Sequence, residues 1–152
     1  IDKQGNPTVI EYNVRFGDPE TQPILMRLKS DMVDLIDAAL DGRLNEVSAR
    51  WDRRPATGVV LAAAGYPARV RSGDVIDGLD AAVAPDVKVF HAGTKLDPQG
   101  RAVTAGGRVL TVCALGNDLA AARTHAYAAI EKIHYEGAFH RRDIAHRALH
   151  RD

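Results

Sequence analysis

Residues 9–22 have the sequence Val-Ile-Glu-Tyr-Asn-Val-Arg-Phe-Gly-Asp-Pro-Glu-Thr-Gln, and they decide more about the fold than any other stretch. In the first half, apolar and polar side chains alternate, which predicts a strand with two different faces. The apolar face holds Ile10, Tyr12, Val14 and Phe16. The polar face holds Glu11, Asn13 and Arg15. Such a strand is expected to turn its polar face towards a cleft or towards solvent.

The segments on either side of this strand are predicted to be a hairpin turn and the start of a helix. Residues 1–3 and 8–14 flank a Gln-Gly-Asn-Pro loop, which predicts a β-hairpin. Gly17 predicts a tight turn after the strand, and Asp18 and Pro19 are typical of the N-cap and first residue of a helix. Free N–H groups at a helix start favour anions. The plainer alternative for this segment is a well-capped helix.

The polar face of the predicted strand has the composition of a metal-phosphate site. Successive side chains on one face lie roughly 7 Å apart, so the Glu11 carboxylate and the Asn13 amide oxygen can share one cation. Magnesium prefers hard oxygen ligands and takes few of them from the protein. The Arg15 guanidinium can hold an anion beside it. The alternative, which alternation alone favours, is a half-exposed strand with a polar solvent face.

After this strand, the chain is predicted to contain a second helix, a linker and a β-rich part. Met32–Leu40 presents one apolar helical face, with Ser30 as N-cap and Gly42 as the end. The charged residues and proline of 51–55 indicate a linker. The predicted strands after it span residues 57–64, 74–76, 87–92, 102–105 and 108–115.

A turn and a long helix organise the β-rich part. Asp97-Pro98-Gln99-Gly100 is a strong turn signal between two of the predicted strands. Asp118 is predicted to cap a helix that runs from Leu119 to His134, because apolar residues recur there at helical spacing. Helices and strands are segregated along the chain, so the predicted fold class is α+β.

Composition excludes several classes of protein. The 152 residues contain 20 Lys and Arg against 20 Asp and Glu, so no excess of positive charge indicates nucleic-acid binding. The uncharged run Gly58–Ala68 is too short to cross a membrane. Cys113 is the only cysteine and is predicted to be a core thiol, in keeping with a reducing cytoplasm. Because the chain opens at Ile1, just before a turn, we expect it to be a piece of a longer protein.

Residues 11–22 closely resemble the signature of phosphoribosylamine–glycine ligases, also called glycinamide ribonucleotide synthetases, which are ATP-grasp ligases of purine biosynthesis. Further segments resemble that family in the same order: Pro23–Asp31, Gly65–Pro67, Val89–Lys95 and Gly106–Leu110. The resemblance covers essentially the whole chain. The Arg-Phe-Gly-Asp-Pro-Glu run is highly specific, whereas the Glu-x-Asn-x-Arg pattern is shared across ATP-grasp enzymes.

The resemblance implies two structural parts. Residues 1–53 would be the end of an ATP-grasp domain, and residues 54–152 would be a small β-rich C-terminal domain, a barrel-like sheet with a flanking helix. Only the C-terminal part of the family is resembled, without its preceding region, its nucleotide-clamping lysines or its lid. The chain alone is therefore expected to be inactive, with the N-terminal part of the same enzyme as its partner. Neither nucleic acid nor membrane is an expected partner.

The resemblance also implies a reaction and roles for individual residues. ATP would phosphorylate the carboxylate of glycine, and the amine of 5-phosphoribosylamine would attack the resulting acyl phosphate to form an amide. Glu11 and Asn13 would hold Mg²⁺ (or Mn²⁺) on the ATP phosphates, and Arg15 would stabilise the acyl phosphate as charge develops. The expected substrate-binding residues are Asp18 and Glu20, at the glycine or amine end, and Lys95 and Arg108, at the ribosylamine phosphate.

Several of these predictions have structural or non-catalytic alternatives. Lys95 and Arg108 stand beside glycine-rich turns, where they are either phosphate ligands or ordinary surface cations. His146 and His150 are four residues apart, but without a third ligand they are better interpreted as cations near a helix end than as a metal pair. The alternative to a ligase is a non-catalytic interaction module that keeps the same C-terminal fold.

Overall fold

An antiparallel sheet of four strands forms the centre of the protein, in a computed structural model that describes residues 1–150. The helices are α1 (Thr21–Arg27), α2 (Met32–Leu40), α3 (Leu119–Ile130) and α4 (His146–Leu149). The strands are β1 (Ala56–Ala62), β2 (Val87–His91), β3 (Thr94–Leu96), β4 (Ala102–Thr104), β5 (Arg108–Leu115) and β6 (Phe139–His140). The main sheet has the order β2-β5-β1-β6, and β3 and β4 form a separate two-stranded sheet.

The core lies between this sheet and α3. In the central pair, Val59 is opposite Val112 and Leu61 is opposite Leu110, and all four side chains are fully or almost fully buried. They belong to one apolar cluster with Ala126, Ala129 and Ile130 of α3. Small alanine side chains let the helix axis approach the sheet closely, and burial of this apolar surface is the main stabilising contribution. The Asp118 carboxylate caps α3 as predicted, accepting a hydrogen bond of 2.7 Å from Ala121 N.

The opposite face of the sheet is covered by α1. A Cβ built on Gly58 would lie 3.1 Å from Cys113 Sγ and 3.4 Å from Pro23 Cδ, so the thiol and the proline ring border the same point. Glycine at this position therefore allows α1 to lie directly on β1. Cys113 is fully buried, as predicted, and burial raises the pKa of its thiol to about 12.

The predicted hairpin at the start of the chain does not form. Residues 1–20 contain no strand, and residues 8–16 are irregular and exposed. The Asp2 carboxylate closes a turn by accepting hydrogen bonds from Gln4 N (2.9 Å) and Asn6 N (2.8 Å). A strand needs a neighbouring backbone to pair with, and no described strand lies beside residues 8–16. The strand predicted from alternation is therefore absent from this structure, and its apolar side chains are exposed.

Several predicted boundaries shift for identifiable reasons. The helix predicted from Asp18 begins at Thr21, and the N-cap of α2 is Asp31, not Ser30, because the Asp31 carboxylate accepts from Val33 N at 2.7 Å. α3 stops at Ile130, before the predicted end, because His134 leaves the helix to form an isolated bridge with Asp77. β5 spans the predicted residues, and Asp97–Gly100 connects β3 to β4.

The mixed α/β architecture with antiparallel sheets is as expected at the level of fold class. Within residues 1–150 the sheets do not close into a barrel, since β2 and β6 are the two edges of an open sheet. The barrel-like element of the expectation is thus not observed. None of the helices in this range is long and apolar enough to cross a membrane.

Candidate functional site

The part of the sequence signature with the most internal hydrogen bonds is a tight turn before α1. The Glu20 carboxylate accepts a hydrogen bond of 2.9 Å from Gly17 N, and the Thr21 hydroxyl donates one of 2.6 Å to Gly17 O. Both contacts pull residues 17–21 into a closed loop. Because Glu20 occupies the Gly17 N–H and α1 has only seven residues, the expected anion site at a helix start is not observed. Asp18 and Pro19 lie in the turn and not in the helix.

Arg108, at the start of β5, reaches this turn. Its Nη1 atom donates a hydrogen bond of 3.0 Å to Asp18 O and lies 3.6 Å from Asp18 Oδ1. Two residues that the family resemblance implied as substrate ligands are therefore adjacent, although 90 positions separate them in the sequence. Both side chains remain partly exposed, at 40% for Arg108 and 57% for Asp18, so a ligand can reach them.

Glycines surround Arg108 and bring several backbone segments close together. Gly93 N donates to Arg108 O at 2.8 Å, and a Cβ built on Gly93 would lie 2.7 Å from that oxygen and from Gly106 Cα. A side chain at Gly107 would overlap the ring of Tyr66. Glycine is thus required at these two positions because neighbouring backbone and the Tyr66 ring already fill the space that a side chain would occupy. Sequence reasoning did not single out Tyr66 as a site residue, although it lies in one of the segments that resemble the ligase family.

Lys95 lies near this group but is not joined to it. It occupies the middle of β3, opposite Val103, and its side chain is exposed. Gly93, which contacts Arg108, is two residues earlier in the chain. No ion pair within residues 1–150 involves Lys95. The structure therefore places Lys95 and Arg108 on neighbouring segments.

The predicted metal residues lie outside this cluster. Glu11, Asn13 and Arg15 are exposed on the irregular segment, and the Arg15 guanidinium donates only to the adjacent Phe16 O, at 3.3 Å. A carboxylate and an amide oxygen remain a donor set suited to a hard divalent cation. Among residues 1–150, no three or more His, Cys, Asp or Glu side chains are gathered as a metal site. His146 and His150 have ring centroids 4.3 Å apart, and His150 Nδ1 is bonded to His146 O.

Comparison with known proteins identifies the family. Residues 56–147 match the family model described as "Phosphoribosylglycinamide synthetase, C domain". The chain belongs to the phosphoribosylglycinamide synthetase C-domain family. Over its entire length it is 58% identical to a phosphoribosylamine–glycine ligase of Xylella fastidiosa and 56% identical to one of Escherichia coli O157:H7. The resemblance described from residues 11–22 and the later segments is thereby confirmed.

The synthetase C domain and its preceding segment also resemble a solved structure. The crystal structure of phosphoribosylamine–glycine ligase from Thermotoga maritima matches 91% of this chain with a TM-score of 0.71 at 37% identity. The chain spans 34% of that protein and 35% of each of the two ligases named above. The shared fold therefore covers about a third of these relatives.

Proposed function

We propose that this chain is the C-terminal part of an ATP-dependent ligase that joins glycine to 5-phosphoribosylamine. The products would be glycinamide ribonucleotide, ADP and phosphate, in a cytoplasmic pathway of purine synthesis. The observation that supports this most strongly is the identity of 55–58% to proteins named phosphoribosylamine–glycine ligase, which extends over all 152 residues. The turn at residues 17–21 and Arg108 both lie within this matched segment.

In the proposed reaction, the chain supplies charge and position. ATP transfers its γ-phosphoryl group to the carboxylate of glycine. The amine of 5-phosphoribosylamine then attacks the acyl carbon of the glycyl phosphate, the C–N bond forms, and phosphate leaves. Glu11 and Asn13 would hold Mg²⁺ (or Mn²⁺), which neutralises charge on the ATP phosphates. Arg15 would stabilise the negative charge of the acyl phosphate.

Arg108 would bind the phosphate of 5-phosphoribosylamine together with Lys95. The contact with Asp18 uses only Nη1 of Arg108, and a guanidinium has five N–H donors in a planar fork. The remaining donors can therefore bind a phosphate while Asp18 fixes the plane of the guanidinium. Asp18 and Glu20 would lie at the glycine or amine end of the site, on a turn closed by the Glu20–Gly17 hydrogen bond.

The proposal includes a division of the chain. Residues 1–53 would complete an ATP-grasp domain, and residues 54–152 would form the C-terminal domain, of which 151 and 152 lie outside the described residues. Large apolar side chains are exposed throughout the first part, including Ile10 at 94%, Val14 at 93% and Leu40 at 81%. An ATP-grasp domain formed with a preceding segment would cover them.

A chimeric ligase tests the proposal. In this chimera, the 152 residues replace the matching segment of the Xylella fastidiosa relative, and formation of ADP and glycinamide ribonucleotide is measured. We expect full glycine-dependent turnover, and we expect Glu11→Ala or Asn13→Ala to lower it roughly tenfold or more and to raise the Mg²⁺ requirement. Glu136→Ala, which removes an exposed carboxylate far along the chain, is the control. If the chimera folds but shows no turnover, the ligase assignment is overturned. The alternative function, a non-catalytic interaction module, would then be favoured.

A further inference from the structure

The turn that contains Asp18 directly precedes α1, and hydrogen bonds also hold the C-terminal end of this helix. At the C-terminal end of α1, Arg27 O accepts a hydrogen bond of 2.7 Å from Asp52 N. The Arg27 guanidinium donates to Asp52 O from Nε (3.3 Å) and Nη2 (3.2 Å). Leu28 and Trp51 form an isolated antiparallel bridge beside these contacts. The segment that ends at Asp52 therefore moves together with α1.

The carboxylate of Asp52 connects this segment to the main sheet through Arg54. Asp52 Oδ2 lies 2.9 Å from Arg54 Nη2 and 3.2 Å from Lys29 Nζ, and only 10% of the Asp52 side chain is exposed. Nη1 of the same guanidinium lies 2.8 Å from Asp86 Oδ1. The backbone oxygen of Asp86 accepts from Leu115 N, at the end of β5, at 2.8 Å. Arg54 thus joins Asp52, which is hydrogen-bonded to the end of α1, to Asp86, which is hydrogen-bonded to the end of β5.

These contacts fix the direction of α1 at three points. Asp18 meets Arg108 before the helix, Pro23 rests over Gly58 in its first turn, and the Arg54 bridge holds the far end. A seven-residue helix is a rigid rod of about 10 Å. Pro23 lies over Gly58 as a van der Waals contact and can act as a pivot. Because the rod is rigid, displacement of its far end about this pivot also displaces the turn at its start.

We propose that Arg54 is a positioning residue that sets the place of Asp18 against Arg108 by holding the far end of α1. It touches no substrate. The inference rests on the proposed role of Arg108 in binding the phosphate of 5-phosphoribosylamine. Loss of the Arg54 bridge turns α1 on the sheet, moves Asp18, and leaves the Arg108 guanidinium without its fixed plane.

The first test compares Arg54→Met with Arg141→Met in the chimera. Methionine keeps much of the length of arginine but removes its hydrogen bonds. Arg141 forms a comparable pair with Asp143, at 2.5 Å, on the segment that follows β6. We expect Arg54→Met to raise the KM for 5-phosphoribosylamine roughly three- to tenfold, with the KM for ATP unchanged, because bidentate pairs fix geometry as well as energy. A purely structural role would lower Tm without separating the two KM values.

The second test follows the docking of α1 without any activity. Cys113 Sγ is buried beside Pro23, so the rate at which a thiol reagent labels native Cys113 reports how often α1 lifts from the sheet. We expect faster labelling in Arg54→Met than in the parent or in Arg141→Met. Asp86→Asn, which removes the negative charge from the second half of the bridge but keeps an acceptor oxygen, should show a smaller change in the same direction and serves if Arg54→Met fails to fold.

The two tests separate the inference from the proposed function. An inactive parent chimera would overturn the ligase assignment, and the labelling rates would still decide whether Arg54 holds α1. An active chimera with an unchanged KM for 5-phosphoribosylamine in Arg54→Met and Asp86→Asn would overturn the inference. A raised KM without faster labelling of Cys113 would also overturn it, since the effect would then not pass through α1.

Discussion

Asp52 shows how a single carboxylate can make stability depend on pH. Hydrogen bonds from the Arg54 guanidinium, assisted by Lys29, hold the pKa of Asp52 well below its ordinary value. A carboxyl with a depressed folded-state pKa contributes stability above its unfolded pKa of about 4, and this contribution is lost as the pH falls through the folded value. Acid should therefore weaken the attachment of α1 to the sheet.

We expect Asp52→Asn to flatten the pH dependence of unfolding. The variant should be less stable than the parent at neutral pH, and the difference should begin to shrink as the pH is lowered through about 4, where Asp52 of the unfolded parent takes up a proton. Urea unfolding midpoints at pH 7, 5 and 3 measure this. Midpoint curves that run parallel over the whole range would show that the Asp52 charge has no linked effect.

At the scale of elements, the packing of α1 on β1 depends on the missing side chain of Gly58. We expect Gly58→Ala to lower the free energy of unfolding by about 1 kcal/mol or more, because the new methyl group would press on Cys113 Sγ and the Pro23 ring. In the background of Cys113→Ala the same change should cost less, with a coupling of about 0.5 kcal/mol or more. Urea unfolding of the two single variants and the double variant gives the coupling. If the effects of the two substitutions on the free energy of unfolding simply add, the strain introduced by Gly58→Ala does not involve Cys113 Sγ.

Elements defined by local signals could be predicted from the sequence, and those that depend on distant partners could not. Asp118 accepts from a backbone N–H three residues on, so the start of α3 is visible locally. The end of α3 is set by Asp77, which lies far from His134 in sequence. The alternation of residues 9–16 correctly describes two chemical faces, but strand formation requires a partner backbone that the pattern does not contain.

The candidate site follows the same division. Asp18, Glu20 and Arg108 could be named from residue type and family resemblance, because carboxylates suit the amine end of the expected substrates and a guanidinium suits their phosphate. Their geometry could not be named: Glu20 turns back to Gly17, and Asp18 meets Arg108 across the fold. Arg54 and Tyr66 were missed because an arginine in a charged linker and a tyrosine beside a glycine turn have no distinctive spacing. The roles of all seven predicted site residues stay predictions: Glu11, Asn13, Arg15, Asp18, Glu20, Lys95 and Arg108.

At the scale of the whole molecule, the two parts of the chain differ in how they bury apolar surface. Residues 56–150 contain nearly all of the buried core, whereas residues 8–16 are exposed along their entire length. For the purified 152-residue chain, we expect slow hydrogen exchange across 87–133 and fast exchange across 8–16. Exchange in the two segments at similar rates would mean that residues 8–16 pack in solution.

Deletion variants extend this test. Removal of residues 1–16 should change the free energy of unfolding by less than about 0.5 kcal/mol, since surface segments contribute little. Removal of residues 1–53 should lower it clearly, because β1 and β5 would lose the cover of α1 and the Arg54 bridge. Urea unfolding followed by circular dichroism measures both. A large loss on removing residues 1–16 alone would contradict the division.

The contact between Asp18 and Arg108, which closes a loop of 90 residues, has a consequence for the order of events during biosynthesis. Translation at roughly 5–20 residues per second delivers the signature turn several seconds before the arginine that completes it. Until β5 has emerged from the ribosome and paired with β1, Arg108 is not in place to contact the turn. A nascent chain halted before Arg108 would therefore contain the whole signature but could not form the contact between Asp18 and Arg108. The site can assemble only after the sheet is complete.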